Sequence, residues 1–78
     1  MKELIEYIAK SLVGNPDEVK ITEELKENDP EHIIFKLEVA EEDKGKIIGR
    51  HGRVAQAMRV LLRIAAVKNG TRASLEII

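Results

Sequence analysis

Lys44-Gly45-Lys46-Ile47-Ile48-Gly49-Arg50-His51-Gly52-Arg53 is the stretch on which the fold turns. Two glycines bracket an arginine and a histidine, and no acid interrupts the ten residues. Without a Cβ, glycine reaches φ > 0 freely, so Gly49 and Gly52 allow a tight turn with exposed backbone amides. A helix beginning at Arg53 leaves its first N–H groups without intrahelical partners, and the positive end of its dipole adds to them; both suit an anion such as phosphate. Lys44, Lys46, Arg50 and Arg53 supply mobile cations around that point. Ile47 and Ile48, just before the turn, either anchor the preceding segment in a core or line a groove whose apolar floor accepts the face of a base.

Working outward, the segment after the turn, Arg53 to Asn69, sets Val54, Ala57, Met58, Leu61 and Ala65 at three- and four-residue spacing and ends at Gly70, which predicts a long amphipathic helix with those residues inward. Val60, Ile64 and Val67 form a second apolar strip off that face, readable either as an association surface or as the edge of a broad buried stripe. Ala73, Leu75 and Ile77 then alternate with polar residues, as a strand does. Upstream, Glu41-Glu42-Asp43 opens a short helix into Ile47-Ile48, its acids at the positive end of the dipole. Before it, Ile33, Phe35, Leu37 and Val39 alternate strictly over His32 to Val39, and Val19 to Leu25 alternates less strictly, predicting a hairpin turning at Asn28-Asp29-Pro30. Leu4, Ile5, Ile8 and Leu12 predict a first helix stopped by Gly14-Asn15-Pro16. The order is αββααβ. A crossover between parallel strands leaves the helices together on one face of a three-stranded sheet, an α+β architecture.

A chain of 78 residues has room for one domain, taken as 1–78, with one core and no deep cleft. It has no cysteine, which excludes disulfides and thiolate metal sites and favours a reducing compartment; a cytoplasmic, soluble protein is expected, with no membrane partner. The formal net charge of −1 conceals an asymmetry. Up to Asp43 five basic residues face thirteen acidic ones, whereas from Lys44 onward eight basic residues face Glu76 alone. Such a division steers a polyanion to one face, or else reflects neutralisation between the halves.

The quoted string, set between a strand and a long helix, resembles the core motif of the KH domain, and the αββααβ order resembles the type II arrangement of that family. The resemblance covers nearly the whole chain; at this length it is to the small bacterial KhpA family of RNA-binding proteins. It implies that Gly49 to Gly52 clamps the backbone of about four single-stranded nucleotides, with bases in a groove between the helices and the sheet edge. The RNA-binding set would be Lys44, Lys46, Ile47, Ile48, Gly49, Arg50, His51, Gly52 and Arg53. It further implies an RNA chaperone or post-transcriptional regulator, forming a homodimer or a heterodimer with a larger KH-containing protein and acting in cell shape and envelope synthesis. With Tyr7 and Phe35 the only aromatics, a surface of several stacked bases is not expected.

Other features weigh less. His51 is either a titrating phosphate contact or simply an exposed loop residue, and His32 is read as starting a strand. Arg59 and Arg63 at i,i+4 are either an RNA track or a solvated face. Two distant histidines and scattered acids make neither a nucleophile–base pair nor a metal-ligand set, so no catalytic residue, metal or cofactor is expected. Two competing readings are a helix-turn-helix DNA binder spanning Ile47 to Leu61, against which the strands weigh, and a protein-interaction or dimerisation module using the Val60, Ile64 and Val67 strip.

Overall fold

The structure is a computed structural model describing residues 1–78. Its elements are α1 (Lys2–Leu12), β1 (Lys20–Lys26), β2 (Asp29–Glu38), α2 (Lys44–Ile48), α3 (Arg53–Lys68) and β3 (Arg72–Ile77). Single turns of 3-10 helix at Pro16–Glu18, Glu41–Asp43 and Arg50–Gly52 lead into β1, α2 and α3. The αββααβ order and the α+β class are those read from the sequence.

The sheet order is β1-β2-β3, with β2 antiparallel to β1 and parallel to β3. Register aligns Leu37 with Ile21 on one side and Ile77 on the other, and Phe35 with Leu75. Because side chains alternate across a strand, these residues share one face, and the three helices cover it. Ile5 and Ala9 of α1, Ile47 of α2, and Met58 and Leu62 of α3 close over Phe35, Leu37, Val39 and Leu75 to make the core. Parallel strands cannot be joined by a hairpin. The connection from β2 to β3 must cross the sheet, and α2, the glycine turn and α3 are that crossover.

Two details differ from the sequence reading. The hairpin bends at Glu27-Asn28, and Asp29 and Pro30 belong to β2, whose pairing jumps from Leu25↔Ile33 to Lys26↔Asp29 across a bulge. Pro30, which has no amide to donate, falls in the irregular stretch. In α3 the buried residues are Ala55, Met58, Leu62 and Ala66, while Ala57 and Leu61, expected inward, are exposed. Eleven of the fourteen positions from Val54 to Val67 are apolar, so several helical frames fit the pattern. The frame adopted presents two alanines to the sheet, and their small side chains allow close approach.

Candidate nucleic-acid interface

The turn between α2 and α3 takes a backbone that few residues tolerate. Gly49 has φ 76° and ψ 175°, His51 φ 58° and ψ 24°, and Gly52 φ 74° and ψ 14°. Gly49 also has no room for a side chain, since the start of α3 packs directly against its Cα. His51 is the one residue other than glycine with positive φ, in the left-handed region that histidine enters more readily than most. Nothing local announced this, because either bracketing glycine could have absorbed the reversal alone.

The glycine amides are not free. That of Gly49 donates to the carbonyl of Gly45 at 2.9 Å and that of Gly52 to the carbonyl of Gly49 at 3.2 Å. The Arg53 amide donates to the Arg50 carbonyl. The turn therefore offers an anion its side chains more than its glycine N–H groups.

Arg50, His51 and Arg53 are exposed, and none enters an ion pair. The lysines differ. Lys44 pairs with Glu41 at 3.0 Å, and Lys46 lies 3.6 Å from Asp43 with its ammonium turned back toward Gly14. Both are partly neutralised and aimed toward the base of α2. Of the two isoleucines, Ile47 is wholly buried and holds α2 in the core, which removes it from the contact set; Ile48 is 42 % exposed beside the turn. A five-residue α2 pinned in this way also lacks the free-standing first helix of a helix-turn-helix.

Below the turn, Asp43 is a buried anchoring residue whose partners the sequence reading missed. Its carboxylate is 1 % exposed and accepts hydrogen bonds from the Gly14 amide at 3.0 Å, the Asn15 amide at 3.1 Å and the Asn15 side chain at 3.0 Å. The Gly14 bond, then those of Asn15 and the Lys46 charge, hold its pKa below the ordinary aspartate value against the opposing effect of burial. Glu42 adds a bond from Asn15 at 2.7 Å. The α1–β1 loop is thereby tied to the start of the helix that carries the turn. Its partners lie 28 and 29 residues away, so no local pattern could reveal it.

Along α3, Arg63 is exposed and Arg59 half-buried, so the pair meets solvent as well as the sheet edge. They flank the sheet-facing side and line a cleft against β3 with Leu62, Ala73, Ser74 and Leu75. Val60, Ile64 and Val67 are 47 %, 50 % and 69 % exposed on the opposite side of the helix, joined by Leu61, so the reading as a buried stripe does not hold within this chain. Four of the five arginines, Arg50, Arg53, Arg59 and Arg63, are free of ion pairs and run from the turn along α3. A depression elsewhere, between Pro16–Glu18 and Glu41–Asp43, is lined by Asp17, Glu18, Glu38 and Glu41 with Lys20 and Lys44, a surface that does not attract a polyanion.

The family model for the KH domain of KhpA/KhpB matches residues 2–77. The RNA-binding protein KhpA of Clostridium acetobutylicum is 51% identical over 78 residues, covering 100% of both chains. That of Treponema pallidum is 49% identical over 77 residues, covering 99% of this chain and 92% of the relative. Among solved structures, Aquifex aeolicus Era bound to GDP and aluminium fluoride superposes with a TM-score of 0.63 at 22% identity over 97% of this chain. Era in complex with MgGDPNP and a segment of 16S ribosomal RNA gives 0.58 at 24%. The chain spans 28% of the Era chains, and that likeness shows the fold. With a KH family model over nearly every residue and an αββααβ order built on a mixed three-stranded sheet, the chain belongs to the KhpA/KhpB KH-domain family and has the type II KH fold.

Proposed function

We propose that residues 1–78 act as a single KH domain that binds single-stranded RNA, gripping its backbone at the Gly49–Gly52 turn. The observation that carries this reading is the pair of exposed, unpaired arginines, Arg50 and Arg53, flanking His51 on an acid-free turn. Phosphate contacts come from those side chains, with Lys44 and Lys46 as weaker, partly neutralised contributors. Ile48 and the Arg59–Leu75 cleft receive bases. The relatives named RNA-binding proteins support the same ligand. On this reading the protein is not an enzyme. It works in the cytoplasm as an RNA chaperone or post-transcriptional regulator, with a consequence for cell shape and envelope synthesis carried over from the family resemblance.

A second reading coexists with the first. The exposed Val60, Ile64 and Val67 strip is unusual for a surface helix face and supports association, either with a second copy or with a larger KH-containing protein.

The test is binding of labelled single-stranded RNA across several salt concentrations, comparing wild type with the double variant Arg50→Asp/His51→Asp. Salt-sensitive binding by wild type and none by the folded variant is expected. Equal binding by both would move the site away from this turn, and a preference for duplex DNA would overturn the ligand class.

A further inference from the structure

The cleft along α3 does not stop at Arg63. Beyond it, at the far end of the helix, His32, Arg63, Thr71 and Arg72 surround a hollow whose apolar wall is Ala66, Val67 and Ala73, Val67 being shared with the exposed strip. Arg63 and Ala73 belong to this hollow and to the one beside Arg59, so the two adjoin, and no carboxylate lines either. β3 is an edge strand, and no element of this chain covers the cleft. Arg63 has no ionic partner, and Arg72 is held by Asp29 alone, at a site where the guanidinium remains two-thirds exposed. The negative end of the α3 dipole points this way and opposes an anion, an effect reduced because two of its last four carbonyls are occupied. That of Ala66 accepts the amides of Asn69 and Thr71 and the Thr71 hydroxyl, and that of Val67 accepts the amide of Gly70.

We propose that Arg63 and Arg72 form a second phosphate-binding subsite, which holds the backbone of the same strand about 15 Å along α3 from Arg53, with His32 beside them hydrogen-bonded to the Ser74 hydroxyl. The binding unit is then longer than the nucleotides at the turn, and the strand is fixed at both ends of the cleft. The inference rests on the RNA-binding reading above.

The test compares oligouridine of four and ten nucleotides by fluorescence anisotropy over a salt series. Wild type binds the decamer more tightly than the tetramer. Arg72→Gln, at an exposed position outside the base-receiving cleft, is expected to leave the circular dichroism spectrum unchanged, keep the tetramer affinity and weaken the decamer several-fold at low salt, with a log–log salt slope for the decamer flatter by about 0.7. Asp29→Asn, which frees Arg72, tightens the decamer about twofold and leaves the tetramer alone. Unchanged decamer binding by Arg72→Gln overturns the subsite, as does an equal loss on both lengths. Absence of wild-type binding to either length overturns the RNA-binding reading itself and the subsite with it.

Discussion

A Cβ added at Gly49 would lie 2.4 Å from Cγ2 of Val54, 2.8 Å from its Cβ and 2.9 Å from its backbone nitrogen. The last distance matters most, because the nitrogen belongs to the first turn of α3 and cannot move without moving the helix. Gly49 also has φ 76° and ψ 175°, a region closed to other residues. Gly52 has positive φ too, but a Cβ there meets nothing within 4 Å. Gly49→Ala is therefore expected to destabilise the fold by about 3 kcal/mol, and Gly52→Ala by about 1 kcal/mol. Urea unfolding of the two variants checks this; equal losses would show that the contact with Val54 is relieved at little cost.

Asp43 makes stability depend on acid. Its folded pKa is lowered, chiefly by the Gly14 amide, so the stabilisation it gives is complete above the ordinary aspartate value of about 3.9 and is lost as pH falls through the lower, folded value. The melting midpoint of wild type should fall below pH 4 in part for this reason. Asp43→Asn keeps one acceptor oxygen but turns an NH2 group against either the Gly14 amide or the two Asn15 donors. It should melt about 5–10 °C lower at pH 7 and lose less than wild type on further acidification. Parallel melting curves against pH for the two proteins would rule out this role.

Much of the fold was legible because its decisive signals are local. The alternation through Ile33, Phe35, Leu37 and Val39 has one interpretation, and Gly49-Arg50-His51-Gly52 between a short and a long apolar segment marks the turn. The exposed, unpaired basic side chains around it, Arg50 and Arg53, are adjacent to it in the sequence. What was not legible depends on distant partners. The frame of α3 is set by the sheet beneath it, since Ala55, Met58, Leu62 and Ala66 repeat at the same spacing as the frame built on Val54 and Leu61. The burial of Ile47 over Ile48 and the neutralisation of Lys46 depend on where α2 meets the core and the Gly14 loop. Arg59 and Arg63 gain meaning only from the position of β3.

The frame itself is testable by a pair of substitutions two residues apart. Leu62 is fully buried in the core, and Leu62→Ala should cost about 3 kcal/mol in chemical denaturation. Ile64 is half exposed on the opposite face, and Ile64→Glu should change stability by no more than about 0.5 kcal/mol. In sedimentation the same Ile64→Glu variant should lose any self-association of wild type. A large stability loss at Ile64 that persists at concentrations where wild type is monomeric would mean the helix packs in the other frame.

The cations around the turn should not contribute equally to RNA binding. For a single strand, each phosphate neutralised adds about −0.7 to the slope of log affinity against log salt. Arg50 and Arg53 are exposed and unpaired, so Arg50→Gln and Arg53→Gln should each flatten the slope by about that amount. Lys44 is already paired with Glu41 at 3.0 Å, and a phosphate must compete with that carboxylate. Lys44→Gln should therefore change the slope by well under half as much, and Glu41→Gln, which releases Lys44, should steepen it. Lys46 falls between, because its 3.6 Å pair with Asp43 is longer, but the carboxylate is buried and fixed by three other hydrogen bonds. Equal effects from all four basic positions would mean that the ion pairs at the base of α2 dissolve when RNA binds, and that the site rearranges around its ligand.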